Sequence, residues 1–200
     1  RPDEAEAWLR EAMPVALQIG GWVAVEAYRY LAEALVAQDR LDDAREIVAF
    51  AARNLPEEDA YARSSLLLAE AITEERGGRV AEAADQYRIV GELAAAEGDR
   101  RTQSEAYRRL SVILHHGNER ERARELCGRS HDLARTAGDA VLAGEALNVL
   151  AGFDFEAGAM DSARARYHEA LELAGDLPRL RGRVEQNLGI LANVQGDHAG

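Results

Sequence analysis

Apolar residues in this chain recur at the three- and four-residue spacing of amphipathic helices, and short turns interrupt the pattern at regular intervals. The stretch from Leu147 to Gly175 shows one period: two amphipathic helices joined by a turn at Gly158. Related stretches precede and follow it over most of the chain. The pattern therefore predicts an internal repeat of helix pairs, with about ten helices in total.

Each predicted helix pair has a small residue in both of its helices. In the first helices this residue follows a leucine, at steps of 37, 42, 40 and 38 residues, at Ala32, Ala69, Ser111, Ala151 and Gly189. In the second helices the small residues are Ala44, then Ala81 or Ala83, then Ala123 and Ala163. A small side chain lets two helix backbones approach closely, whereas a bulky one holds them apart. We therefore expect close helix packing at these positions.

The same residues carry a resemblance to a known repeat family. One unit combines Leu150, Ala151, Gly158, Ala163, Tyr167 and Ala170, and another combines Tyr28, Leu31, Ala32, Leu35, Ala44, Ala51 and Pro56. With their order of large apolar, small, turn, small, aromatic and alanine positions, these units resemble the tetratricopeptide repeat. The resemblance implies an all-α fold, a right-handed α-solenoid of antiparallel helix pairs.

The repeat period is nearer forty residues than the roughly thirty-four of that family. The longer period is similar to the repeats of MalT-like bacterial regulators. What that resemblance implies is a sensor solenoid inside a larger regulatory protein, beside ATPase and DNA-binding domains.

Helix boundaries follow from the turn residues. We predict helices over 3–19, 22–38, 41–54 and 57–76, a further helix that reaches residue 97, and later first helices that start near residues 100, 140 and 178. Pro14 is expected to kink the first helix or to end it near Met13. The acidic residues Glu57, Glu58 and Asp59 suit the N-terminal end of the fourth helix.

Glycine–aspartate pairs mark the turns between later units. Each glycine is predicted to adopt the left-handed conformation that ends a helix, and each aspartate to cap the next helix. The three pairs are Gly98-Asp99, Gly138-Asp139 and Gly175-Asp176.

No low-complexity linker interrupts the repeats, so we predict one domain over residues 1–200. The first and last repeats are partial. The last predicted helix is crowded with apolar residues, Leu188, Ile190, Leu191 and Val194, where a terminal repeat normally presents a polar face. That pattern indicates a piece of a longer chain, or a C-terminal helix through which the protein self-associates.

Composition limits the kinds of partner and site. The formal net charge of −12 argues against nonspecific attraction to nucleic acid or to anionic membranes. The sequence has no run of about eighteen apolar residues, so it predicts no transmembrane span. Cys127 is the single cysteine, which excludes an internal disulfide and predicts a reducing location such as the cytoplasm.

Enzyme motifs are missing from the sequence. The chain contains no lysine and therefore no P-loop, and it has no GxSxG or HExxH motif. We therefore predict a protein that is not an enzyme and that uses no cofactor. Cys127, His131, His115 and His116 offer an incomplete set of metal ligands, so burial of Cys127 as a small hydrophobe is favoured over a metal site.

In tetratricopeptide repeats the first helices line the inner face of the solenoid, and this resemblance implies a groove. The groove positions are charged in the early units, as at Arg29 and Glu33, but they become amides, a glycine and an aromatic in the late units. Amides pair with a peptide backbone or with sugar hydroxyls, and an aromatic ring supplies an apolar floor. The predicted ligand-binding residues are Arg108, His115, Asn148, Phe155, Gln186 and Asn193.

The favoured function is non-catalytic recognition of a protein or peptide segment in this groove, as part of a bacterial regulatory protein. One alternative is a sensor of a small-molecule effector such as an oligosaccharide, which the resemblance to MalT-like regulators implies. Another alternative is an oligomerisation scaffold that uses the apolar terminal helix.

Overall fold

The computed structural model describes residues 1–54, 60–175 and 177–196, and the regular elements of those residues are ten α-helices. They are α1 (Pro2–Ile19), α2 (Gly21–Ala37), α3 (Leu41–Asn54), α4 (Ala60–Arg76), α5 (Val80–Glu97), α6 (Arg100–His116), α7 (Arg120–Thr136), α8 (Ala140–Glu156), α9 (Met160–Ala174) and α10 (Pro178–Gln195). The prediction of an all-α solenoid of about ten helices is confirmed. Pro56, Glu57, Glu58, Asp59 and Asp176 lie outside the described residues.

Of the two alternatives for Pro14, an end of the helix near Met13 is wrong, because α1 continues through Pro14 to Ile19; a kink at Pro14 stays a prediction. Proline cannot donate a backbone hydrogen bond to the carbonyl four residues earlier, so the helix loses one bond there. The helix continues beyond that position. Ala16 is buried, and its carbonyl accepts a hydrogen bond from the backbone N–H of Gly20 at 2.9 Å.

The turns agree with the predictions in most respects. Gly98 adopts the left-handed conformation with φ 73° and ψ 15°, and Asp99 accepts a hydrogen bond from the backbone N–H of Thr102 at 3.2 Å. Asp139 caps α8 in the same way, through the N–H of Leu142 at 3.0 Å. Gly175 differs, because its φ of 50° and ψ of −125° lie outside the left-handed helical region.

The chain forms two compact units, unit 1 (Arg1–Thr102) and unit 2 (Gln103–Gly200). Within unit 1, α2 packs against α1, α3 and α4, and α4 also packs against α3 and α5. Within unit 2, α8 packs against α7, α9 and α10, and α9 packs against α10. Helix α6 meets α7 where the hydroxyls of Ser104 and Ser130 each donate to the other residue's carbonyl, at 2.8 and 2.7 Å.

Nearly all of the small repeat residues are buried, as the sequence predicts. At most 1% of each remains exposed for Ala32, Ala44, Ala69, Ala83, Ser111, Ala123, Ala151 and Ala163. The structure also resolves the alternative in the second unit, since Ala81 is exposed and Ala83 is buried. The predicted small residues of the repeat are therefore confirmed as buried from α2 to α9.

The prediction fails at Gly189 in α10. This glycine is exposed, and a side chain built on it would meet no atom within 4 Å. Its neighbour Leu188 packs against the core cluster instead, together with the buried Leu191. Of the four apolar residues in the predicted terminal surface, only Ile190 (47%) and Val194 (57%) are largely exposed. Self-association through α10 stays a prediction.

A polar network links α2 and α4 inside unit 1. The Arg29 guanidinium donates to both oxygens of Glu26, at 3.0 and 2.7 Å, and to Glu33 at 2.6 Å. The hydroxyls of Tyr61 and Ser65 donate to the same Glu26 carboxylate at 2.8 and 3.1 Å. Burial alone would raise the pKa of Glu26, but the hydrogen bonds and the positive charge of Arg29 outweigh it, and the pKa lies below its usual value.

We expect Ala151→Leu to overpack the core of unit 2 and to lower the free energy of unfolding by about 1–3 kcal/mol. Ala151 is fully buried in a cluster that includes Leu147, Tyr167 and Val184. Gly189→Leu is the matched control, because it adds a larger side chain to α10 in open space. Urea denaturation of both variants measures the difference. An Ala151→Leu protein as stable as the control would contradict the repeat register.

We expect Glu26→Gln to lower the free energy of unfolding at pH 7 by about 1–3 kcal/mol, because bonds to a charged acceptor are lost. A depressed pKa in the folded state contributes stability above the ordinary glutamate pKa of 4.5, and this stability is lost as the pH falls through the folded value. The difference between variant and wild type should therefore shrink below pH 4.5. Urea denaturation at several pH values tests this, with the exposed Glu46→Gln as control; a difference independent of pH would refute it.

Candidate functional site

A cavity of about 310 Å³ opens between α6, α8, α9 and α10 of unit 2. Six of its lining residues are apolar or lack a side chain: Val112, Val149, Gly152, Phe153, Phe155 and Ile190. The other six are polar: His115, His116, Asn148, Glu156, Tyr167 and Asn187. Sites that bind small ligands have this size and this mixture of apolar walls and a few polar groups.

Helix α8 forms the main wall of the cavity. Asn148, Gly152 and Phe155 follow one another at steps of four and three residues, so they lie on one face of the helix. Gly144 lies one turn earlier, and a Cβ atom there would come within 2.9 Å of a methyl group of Leu180. The missing side chain therefore lets α10 approach α8.

The approach of α10 brings together two amides. The Nδ2 of Asn187 donates to the Oδ1 of Asn148 at 2.9 Å, and the Asn148 side chain is largely buried. Among the described residues, the Nδ2 of Asn148 and the Oδ1 of Asn187 have no further hydrogen-bond partner. The pair therefore presents a donor and an acceptor beside the apolar floor.

His115 forms a rigid part of the wall. Its ring stacks on Phe153, with 4.1 Å between ring centroids and 10° between ring planes. Its Nε2 lies 2.8 Å from an oxygen of Glu156. The Nδ1 is buried without a partner among the described residues.

Gly152 keeps the floor of the cavity open. A Cβ atom at this position would meet only the Tyr167 hydroxyl oxygen, at 3.9 Å, which is an ordinary contact distance. A Cβ atom at position 152 therefore fits without a clash, and a longer side chain would extend from a residue that lines the cavity.

Three of the six predicted ligand-binding residues line this cavity: His115, Asn148 and Phe155. Arg108 does not, since it is buried and its guanidinium lies 3.0 Å from Glu145. Gln186 and Asn193 are exposed on α10 and lie outside the cavity lining.

Asn187 and Ile190 line the cavity from α10, in place of the predicted Gln186 and Asn193. The difference comes from the register of α10. The buried residues Leu180, Val184 and Leu191 set the inner face of α10, whereas the prediction took Gly189 as its reference. Sequence reasoning also missed Glu156, and it named Tyr167 only as the aromatic position of the repeat. The spacing of the apolar residues of α10, Leu188 among them, is the sequence signal that would have placed Asn187 on the inner face of the helix.

The groove residues predicted in unit 1 have a different role. Arg29 is held between Glu26 and Glu33, so these charges are paired inside the unit. The groove positions of α2 therefore form an internal ion-pair network.

Cys127 is completely buried, as predicted, and its thiol donates to the carbonyl of Ala146 at 3.5 Å. Burial raises the pKa of this thiol to about 11, so it stays protonated near neutral pH. The part of the chain that the structure describes contains no group of three or more His, Cys, Asp or Glu side chains able to hold a metal ion. In the same part of the chain, no helix is both long and apolar enough to cross a membrane.

No protein-family model matches the chain, and no curated protein matches its sequence. Solved structures do match its fold. The crystal structure of BtubC (BKLC) from P. vanneervenii is similar over 98% of this chain and 85% of that one, with a TM-score of 0.71 and 18% sequence identity.

A second similar structure is a protein of the signal transduction ATPases with numerous domains, with a tetratricopeptide repeat sensor, from Pyrococcus horikoshii. The match covers 92% of this chain but only 27% of that one, with a TM-score of 0.61 and 18% identity. Likeness at this identity shows the fold alone. The chain is a helical repeat module with a tetratricopeptide-like fold.

Proposed function

We propose that this helical repeat module is non-catalytic and binds a peptide segment of a partner protein in the cavity of unit 2, as part of a bacterial regulatory protein. The observation that carries the proposal is the Asn148–Asn187 pair, with one donor and one acceptor left unbonded among the described residues. These two groups lie beside an apolar floor.

An extended peptide matches this arrangement. Each of its peptide groups offers one N–H and one C=O, which pair with the Oδ1 of Asn187 and the Nδ2 of Asn148. Alternate side chains of an extended segment point to opposite sides. One of them can therefore fill the space above Gly152, against Phe155 and Ile190.

The chemistry of the cavity favours binding over catalysis. Burial and, to a smaller extent, the charge of Glu156 raise the pKa of the Tyr167 hydroxyl above its usual value, so it is a weak proton donor. His115 is stacked and hydrogen-bonded at Nε2, and it lacks a neighbouring nucleophile in the cavity lining. A free, protonated Cys127 suits a module that works in the reducing cytoplasm.

A second candidate is the sensing of a small effector such as an oligosaccharide. The cavity volume of about 310 Å³ favours it, because this volume lies at the lower end of the range for small-ligand sites and leaves little room for a long segment. The amide pair can bond hydroxyl groups through the same donor and acceptor.

The test is selection of a displayed random heptapeptide library on the immobilised protein, with binding of the enriched peptides measured by fluorescence anisotropy. We expect Gly152→Leu to weaken peptide binding at least tenfold, because the new side chain fills the cavity. We expect Asn148→Ala to weaken it about tenfold, the effect of removing one partner from a desolvated hydrogen bond. Neither variant should lose its fold, and for Gly152→Leu helix propensity favours the change.

Gly182→Leu is the matched control, since it changes a glycine on the exposed surface of α10 where a side chain meets no atom within 4 Å. Peptides that bind Gly152→Leu and the wild type equally would place the binding site elsewhere. A panel of oligosaccharides run against the same variants decides between the two candidates, because only the true ligand class should depend on Gly152.

A further inference from the structure

We propose that the cavity of unit 2 selects a segment with a basic side chain, and that the ammonium or guanidinium group lies beside Glu156, Phe155 and Tyr167. This inference rests on the proposed peptide-binding function and names the chemistry of its ligand. The expected anchor is a lysine or arginine next to an apolar residue.

The first observation is that the acidic residues along α8 differ in how many arginine partners they have. The helix has three acidic residues, Glu145, Asp154 and Glu156. Glu145 faces two arginines, Arg108 at 3.0 Å and Arg183 at 3.5 Å.

Asp154, which is 3% exposed, is likewise bonded to two arginines, Arg124 and Arg166. Glu156 has only His115 as a partner among the described residues, and its side chain is 51% exposed. The charge of Glu156 is therefore the one along α8 that no arginine balances within the part of the chain that the structure describes.

The second observation is the sign of the field inside the cavity. Apart from His115 and His116, which carry charge only when protonated, Glu156 is the one charged side chain among the lining residues, and no arginine lines the cavity. The negative charge of Glu156 contributes to the raised pKa of the Tyr167 hydroxyl, after the larger effect of burial.

Two helix ends add to this field. His115 and His116 are the last residues of α6, and Phe155 and Glu156 are the last residues of α8. All four line the cavity. The C-terminal end of a helix carries a partial negative charge and favours a cation. An anionic group, such as the C-terminal carboxylate of a peptide, is disfavoured by the same field.

The walls suit the rest of a basic side chain. Aromatic rings attract a cation through their faces, and Phe155 and Tyr167 line the same cavity as Glu156. Lysine and arginine bury their methylene stems against apolar surface while the charged end reaches a polar group. Val112 and Ile190 provide that apolar surface.

The experiment uses the peptides that the wild type enriches and that fail to bind Gly152→Leu. We expect them to share a lysine or arginine. Glu156→Gln should weaken their binding at least tenfold, and replacing the shared basic residue of the peptide by glutamine should do the same. The two changes together should lower the affinity no more than either change alone, because both remove the same interaction.

Glu156→Gln retains an acceptor for the Nε2 of His115, so the wall should stay intact, and thermal melting checks this. The matched control is Glu169→Gln, which removes one negative charge from the exposed surface of α9 outside the cavity lining. An equal loss of affinity in the control would reduce the effect to overall charge and overturn the proposal.

The two proposals fail in different ways. Peptides that depend on Gly152 but lack a basic residue, or that bind Glu156→Gln as well as the wild type, overturn the cation inference and leave peptide binding intact. If no peptide depends on Gly152, peptide binding fails. In that case n-butylammonium and the uncharged n-butanol are each titrated into the protein and followed by NMR. Chemical-shift changes at the cavity side chains that require both the positive charge of the probe and Glu156 uphold the cation site. Equal changes with the two probes, or with and without Glu156, overturn it.

Discussion

Close approach of helix backbones at small residues is the constraint on which the rest of this structure depends. Ala44, Ala83, Ala123 and Ala163 are completely buried at equivalent places in four second helices, and because protein interiors are close-packed we expect a longer side chain there to displace a helix. The close contacts fix which face of each helix points inward. The remaining faces are then free to carry ion pairs, as in unit 1, or a cavity, as in unit 2.

Ion pairs between a buried acid and a partly exposed arginine repeat with the same register as the small residues. Arg45 follows Ala44 and lies 3.2 Å from Glu74, and Arg124 follows Ala123 and bonds Asp154. Each of these acids stands four residues before a glycine with positive φ, Gly78 or Gly158. A buried ion pair adds little net stability, but the loss of one partner leaves an uncompensated charge. We therefore expect these pairs to fix helix register more than to raise stability.

Sequence reasoning recovered the helices and their packing because both depend on short-range patterns. Apolar spacing, turn residues and small residues gave the bounds of α3 and the burial of Ala151 without any knowledge of distant contacts. It recovered the cavity only in part. Asn148 and Phe155 were found because α8 keeps the repeat register, whereas Asn187 was missed because α10 departs from it at Gly189. The partner of Glu156 lies 41 residues away along the chain, and no local pattern predicts that pairing.

The contrast between α2 and α8 explains how one repeat yields two kinds of surface. The positions three before and one after the small residue are Arg29 and Glu33 in α2, and Asn148 and Gly152 in α8. In α2 the two side chains bond each other at 2.6 Å, so the polar groups are satisfied within the helix. In α8 one side chain is a neutral amide and the other is absent, so hydrogen-bonding groups and space remain for a ligand. Neither position holds the small residue of the repeat, and the two helices carry different residue types there within the same fold. Binding in this architecture is decided at positions that the packing constraint leaves free.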